Sequence, residues 1–273
     1  MVKKFDAKNY LAVPGKKVTL KEWDPDERRL SSGDKALDTQ ALAALSEQID
    51  KLQDLLFAGH QHKVLLVLQG MDTSGKDGTI RHVFNSVDPL GVRVASFKAP
   101  SEEELDHDSL WRVHSRVPGK GEIVIFNRSH YEDVLIVPVH DWITQEECER
   151  RYQRINEFEK LLSDSGTIII KCFLYISKDE QKKRLEERLA DPEKRWKFRL
   201  GDLGERKLWK KYILAYESAL AATSTKNAPW YVIPADSKIE RNLIISSLLA
   251  EALVNLKMKY PEPEENLSGV VVE

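Results

Sequence analysis

The sequence predicts a three-layer α/β fold on about five parallel strands, and three observations predict it. Short apolar runs alternate with stretches of helical length along the whole chain, the pattern of a parallel sheet with crossover helices. The first run, Val64-Leu65-Leu66-Val67-Leu68, stops abruptly in a glycine-rich turn, Gln69-Gly70-Met71-Asp72-Thr73-Ser74-Gly75-Lys76. A later run, Ile123-Val124-Ile125-Phe126, breaks into the dense polar cluster Asn127-Arg128-Ser129-His130-Tyr131-Glu132-Asp133. In an open α/β sheet that carboxyl edge is where ligands bind.

Residues 1–37 carry Pro14-Gly15, Asp24-Pro25 and Ser31-Ser32-Gly33 among scattered charge, so they are expected to form an irregular arm. Leu42, Leu45, Ile49, Leu52 and Leu56 then recur at helical spacing behind Asp38, which predicts a structural helix. The turn at 70–79 follows the first strand and leads into a helix from Lys76 to about Val87. Val92 to Phe97 reads as the second strand, and Ser101 with Glu104 as a capping box for the next helix. The third strand is Glu122 to Phe126. A helix over about 145–162 separates it from the fourth, Thr167 to Ile176. Lys178 to Ala190 is helical by composition and is closed by Asp191-Pro192; the basic, aromatic stretch to Gly204 reads as a mobile cover. A long helix over about 205–222, the strand Pro229 to Pro234 and a helix over about 239–258 complete a domain expected to span 38–258. Residues 259–273 are expected to be a loose tail.

The chain has 273 residues, 41% hydrophobic, enough for one large core. No apolar run reaches the ~20 residues of a membrane span. The start of the chain shows no apolar signal segment, so a cytoplasmic protein without membrane contact is expected. Cys148 and Cys172 are too few and too far apart for a disulfide framework or a zinc site. The net charge of −2 does not announce a nucleic-acid binder, and no nucleic-acid partner is expected. Between Lys178 and Lys211, however, thirteen Lys/Arg face eight Asp/Glu, and this local excess invites a polyanion.

The spacing Gly70-x-x-x-x-Gly75-Lys76 fits the phosphate-binding P-loop, in which glycines let backbone amides converge on an anion and the lysine reaches the terminal phosphates. Gly70, Gly75, Gly78 and Thr79 are therefore candidate phosphate contacts, helped by the positive end of the following helix. Two departures stand out. Asp77 occupies the place of the usual Ser or Thr that ligates magnesium, and a carboxylate, Asp72, lies inside the loop. An acid among phosphates is repulsive unless a cation intervenes, so Asp72 reads as the magnesium ligand and Asp77 as a charge at the helix start. Lys98, at the end of the second strand, and Arg128, at the end of the third, are placed on the ligand edge. With Lys76 they would neutralise phosphoryl oxygens. These parts describe a small-molecule phosphotransferase. An ATP-dependent nucleoside monophosphate kinase fits the sheet and loop equally well at this point, whereas a nucleotide-binding regulator without turnover would more naturally lack Asp72 or Lys76.

Taken together, GMDTSGKDG, FNRSHYED and KKRLEERLADPEKRWKF resemble the polyphosphate kinase 2 family, over about residues 35–255. The resemblance implies a P-loop kinase fold similar to thymidylate kinase with a helical lid at about 178–204. It implies phosphoryl transfer, reversibly, between inorganic polyphosphate and AMP, ADP or related nucleotides. It also implies dependence on Mg2+, with Mn2+ as a substitute, and a homodimer or homotetramer. The SHYED wording resembles the branch that accepts both AMP and ADP. The family's loop aspartate falls on Asp72, its lysine on Lys76 and its strand-end arginine on Arg128. Many members carry an aspartate where this chain has Asn127, so Glu132 or Asp133 is expected to share the metal role with Asp72. Asn127, His130 and Glu132 are expected at the nucleotide, with His130 as a hydrogen-bonding spacer and not a base. The lid's cations fall among Lys182, Lys183, Arg184, Arg188, Lys194 and Lys197. Arg184 and Arg188, four apart, would share one helix face turned to the polyanion.

Overall fold

A computed structural model describes residues 4–98, 100–263, 270 and 272. The part of the expected tail at 264–269, 271 and 273 lies outside the described residues; Pro261 to Pro263 has no regular secondary structure.

The elements run β1 (Leu11–Ala12), α1 (Lys35–Gly59), β2 (Lys63–Gln69), α2 (Lys76–Val83), β3 (Val92–Ser96), α3 (Glu102–Asp106), α4 (Trp111–His114), β4 (Ile123–Asn127), α5 (Glu132–Val139), α6 (Gln145–Asp164), β5 (Thr167–Tyr175), α7 (Lys178–Ala190), α8 (Leu200–Lys207), α9 (Trp209–Thr223), β6 (Trp230–Pro234) and α10 (Lys238–Asn255). The strands form one sheet in the order β1-β6-β5-β2-β4-β3. Five are parallel and only β1 runs antiparallel, pairing Leu11 with Tyr231 and Ala12 with Trp230. β2 is central, flanked by β5 and β4, which places the loop after it in the middle of the carboxyl edge.

Both faces of the sheet are covered, so its central strands are mainly apolar, with the buried Lys171 in β5 an exception, and the pleat divides them between two cores. Leu65, Val67, Val124, Phe126 and Phe173 face α5, α6 and α9, whereas Val64, Leu66, Leu68, Ile125 and Leu174 face α1, α2 and α10. Both cysteines are buried and free. No helix among the described residues is long and apolar enough to cross a membrane.

Several expectations change in detail. The arm is not wholly irregular: Tyr10, Ala12 and Leu20 are buried, and β1 adds the sixth strand. α1 starts four residues earlier than expected, because Asp34 caps the amides of Ala36 and Leu37 while Asp38 is buried inside the helix, accepting from Ser31 and Ser32. The capping box at Ser101 and Glu104 is present in both directions, at 3.2 and 2.9 Å. The long helix expected at 205–222 is two helices meeting at Leu208.

Candidate active site

The loop between β2 and α2 is held by its carbonyl oxygens. Gln181 Nε2 donates to Asp72 O (3.1 Å), Arg184 Nη1 to Thr73 O (3.0 Å) and Ser74 O (3.3 Å), and Arg241 Nη1 to Ser74 O (3.1 Å). These donors come from α7 and α10, behind the loop. In a trans peptide the N–H points opposite to the C=O. Fixing these three carbonyls therefore turns the amides of Thr73 and Gly75 the other way, as an anion-binding nest requires. Both loop glycines lack room for a side chain. A Cβ on Gly70 would lie 2.6 Å from Ser74 Oγ and 2.8 Å from Leu174 O, and one on Gly75 (φ 103°) 1.9 Å from Arg241 Nη1.

Lys76 Nζ donates to Gly70 O (2.5 Å) and Met71 O (3.3 Å), the place an anion would contest. Burial, then the neighbouring Arg128 charge, pushes its pKa down to about 8, against the pull of Asp72, Glu132 and Asp77. Arg128 follows β4 in the left-handed region (φ 64°), its amide held by Leu68 O at 3.1 Å. That unusual backbone aims the guanidinium back at the loop. Nη2 meets Asp72 Oδ1 at 2.9 Å and Nη1 meets Glu132 Oε2 at 3.4 Å. Burial disfavours the Arg128 charge, but Glu132 and Asp72 outweigh it and raise its pKa. Nearby, Asn127 Nδ2 donates to Asp77 Oδ1 (2.8 Å) and Lys197 Nζ lies 4.0 Å from Asp77 Oδ2. Asp72, Lys76, Asp77, Asn127, Arg128, Glu132 and Lys197 are thus brought to one place.

A cavity opens beside them, walled on one side by Gly70, Asp72, Arg128 and Glu132 and on the other by Gln181, Glu205, Trp209, Tyr212 and Tyr216. Sequence reasoning missed this second wall. Its signal was available: Trp209, Tyr212 and Tyr216 are spaced three and four apart, an aromatic stripe on one helix face.

Other expected contacts lie elsewhere. Arg184 does not face a polyanion: it is buried, and its donors are taken by Glu180 (2.8 Å), the two loop carbonyls, Ala235 O (2.7 Å) and Asp236 O (2.8 Å). Arg188 is only partly buried, acting on Asp202 of α8, and Lys194 is exposed and pairs with Asp191 at 2.5 Å. The Thr79 hydroxyl is buried against Asn242 Oδ1 (3.5 Å), away from the loop, and Gly78 lies within α2. His130 is buried behind the sheet's edge, packed on Tyr131 and Phe158 with Nε2 3.4 Å from Glu159, so it cannot touch a nucleotide. Lys98 lines a different cavity at the end of β3, with Arg112 and Arg116. Asp133, unlike Asp72 and Glu132, is not among the residues lining the cavity beside the loop. Burial raises its pKa against the charges of Arg112 and Arg151.

Among the described residues no group of three or more His, Cys, Asp or Glu could hold a metal alone. The oxygen donors of Asp72 and Glu132, converging on Arg128, instead suit a small hard divalent cation that takes its remaining ligands from phosphate and water.

The family model for Polyphosphate kinase 2 matches residues 32–261. The chain belongs to the Polyphosphate kinase 2 family. It is 55% identical over 266 residues to the AMP/ADP-polyphosphate phosphotransferase of Meiothermus ruber, covering 97% of this chain and all (100%) of that one. The ADP-polyphosphate phosphotransferase of Rhodopseudomonas palustris is 44% identical, covering 95% and 93%. The crystal structure of Polyphosphate Kinase 2 from Arthrobacter aurescens TC1 matches with a TM-score of 0.94 at 43% identity, over 98% of this chain and 95% of that one. For this member of the polyphosphate kinase 2 family, the loop, the strand-end arginine and the α7 segment that carried the sequence resemblance all lie within the matched span.

Proposed function

We propose that this chain transfers phosphoryl groups reversibly between inorganic polyphosphate and AMP or ADP, with Mg2+. The observation that carries the proposal is the convergence of Lys76, Arg128 and Asp72 on one anion-binding loop, in a chain similar along its length to an AMP/ADP-polyphosphate phosphotransferase.

The loop amides cradle the phosphate at the reaction centre. Lys76 leaves the carbonyls of Gly70 and Met71 for phosphate oxygens, and Arg128 neutralises charge spreading over the transferring group. Asp72 and Glu132 would hold the divalent cation, which would supply Lewis-acid withdrawal of negative charge from the phosphates. An oxygen of the acceptor's terminal phosphate, ionised at neutral pH, forms the new P–O bond as the bond to the donor chain breaks. No general base is needed, in keeping with a His130 sealed away from the site. Residues 178–204 act as the lid of the 38–258 domain, and Arg188, Lys194 and Lys197 read the donor chain. The aromatic wall excludes water.

The test is incubation of the purified chain with AMP, long-chain polyphosphate and Mg2+ in the absence of ATP. ADP and ATP should accumulate. Phosphorylation of AMP by ATP but not by polyphosphate would instead make the chain an ATP-dependent monophosphate kinase.

A further inference from the structure

Arg241 is a cation in the wrong kind of place. It sits on α10, 2% exposed, and its donors reach only Ser74 O (3.1 Å) and the Asn242 side-chain oxygen (3.1 Å from Nε, 2.9 Å from Nη2). Among the described residues no carboxylate forms an ion pair with it. The charge that acts on it is Arg184, of the same sign and already paired with Glu180. Burial and that neighbour push its pKa down to about 9.

A buried, unpaired charge is expensive, and an apolar side chain of similar volume would ordinarily be more favourable. Another buried cation, Lys171, is arranged in the ordinary way, paired with Glu159 at 2.6 Å and with Tyr131 OH and Thr223 O as further acceptors. Arg241 has no such arrangement. What it does have is position. Nη1 occupies the space a Cβ on Gly75 would need, 1.9 Å from that point, so the guanidinium is pressed against the inner face of the peptide that opens α2. The outer face of the same peptide belongs to the anion nest.

We infer that Arg241 is a positioning residue whose missing counter-charge is the bound phosphate: it fixes the Ser74 carbonyl and sets a buried positive charge one peptide behind the anion. This rests on the reading of the loop as the phosphate site. Through one peptide at an effective dielectric near 20, a unit charge is expected to change anion affinity by on the order of tenfold or more.

Three proteins separate charge from bracing: the wild type, Arg241→Gln, which keeps an N–H donor without the charge, and Arg241→Lys, which keeps the charge without the fork. The probe is inorganic tripolyphosphate, with binding read by calorimetry and the melting temperature read with and without it. Arg241→Gln should melt at or above the wild-type temperature in the absence of anion. It should bind tripolyphosphate on the order of tenfold more weakly or worse, with a correspondingly smaller melting shift. Arg241→Lys should keep most of the affinity. The inference is overturned if Arg241→Gln fails to fold, melts well below wild type without anion, or binds as wild type does; each would make Arg241 a structural brace. It is also overturned if Arg241→Lys binds as weakly as Arg241→Gln. A wild-type protein that does not bind tripolyphosphate overturns the reading of the loop itself, which is a separate failure.

Discussion

Arg184→Gln removes a guanidinium that donates to four backbone carbonyls, Thr73 (3.0 Å), Ser74 (3.3 Å), Ala235 (2.7 Å) and Asp236 (2.8 Å), and to Glu180 at 2.8 Å. A glutamine amide has two donors and a shorter reach, so most of these acceptors lose their partner in a buried place. Hydrogen bonds from a charged donor contribute about 1.5–3 kcal/mol each, but they share one side chain and do not add. Breaking a buried pair and stranding its partner costs about 3–5 kcal/mol, which sets the scale. With a urea m-value of about 2–3 kcal/mol/M, the unfolding midpoint should fall by roughly 1–2 M. Because the loop serves both substrates, kcat should fall and KM for nucleotide and polyphosphate should rise together. Arg188→Gln is the control. One turn further along and only partly buried, it should change stability by less than about 0.5 kcal/mol and act on the polyphosphate KM alone. If Arg184→Gln unfolds at the wild-type urea concentration and raises only the polyphosphate KM, its guanidinium faces the donor chain and the clamp is not what holds the loop.

Asp72→Asn should fold normally and lose activity on the order of several kcal/mol of barrier, with a weaker Mn2+ affinity by titration; an unchanged metal requirement would remove Asp72 from the metal set. Lys76 has a folded pKa near 8, below the 10.5 of the exposed group, so the native state resists its protonation. Stability without anion should therefore rise between pH 8 and 10.5 relative to Lys76→Met, and tripolyphosphate binding should weaken more steeply in wild type than in Lys76→Met as pH climbs past about 8. A flat difference between the two proteins across that range would contradict the depressed pKa. Glu159→Gln leaves Lys171 buried without its carboxylate and should cost about 3–5 kcal/mol by urea unfolding, with KM unaffected in the folded fraction.

What the sequence made legible follows the reach of each interaction. The five parallel strands are mostly apolar runs, β3 with Arg93 and β5 with Lys171 as interruptions, and such runs are visible locally. The sixth was invisible because it is two residues, Leu11 and Ala12, in a segment rich in turn formers, and only its pairing with β6 makes it a strand. Asp72, Lys76 and Arg128 were legible because each lies where an apolar run gives way to polar residues. The residues that hold the loop were not: Gln181 and Arg241 lie 109 and 167 positions from the carbonyls they bind, with no period or motif to mark them. Arg184 shows how periodicity misleads. The spacing of four correctly relates it to Arg188, but it cannot say which face turns inward, and a helix with few apolar residues hides a buried arginine among exposed charges.

The clamp also constrains how the basic cover can work. Gln181 and Arg184 lie in the first two turns of α7, and both are bonded to loop carbonyls, so this end of the helix belongs mechanically to the phosphate loop. Arg206, on α8, donates to Lys178 O (2.6 Å) and Gln181 Oε1 (2.9 Å), which extends the chain of contacts from Asp72 O through Gln181 to the second helix. A swing of the whole 178–204 segment would break the bonds that shape the anion nest. The part that can adjust to a long polyanion without this cost lies beyond α7, after Asp191. There Lys194 and Trp196 are exposed, and Lys197 already sits 4.0 Å from Asp77. On the proposed reading, charge for the donor chain is carried from Arg188 outward, while Gln181 and Arg184 at the inner end keep the loop in shape.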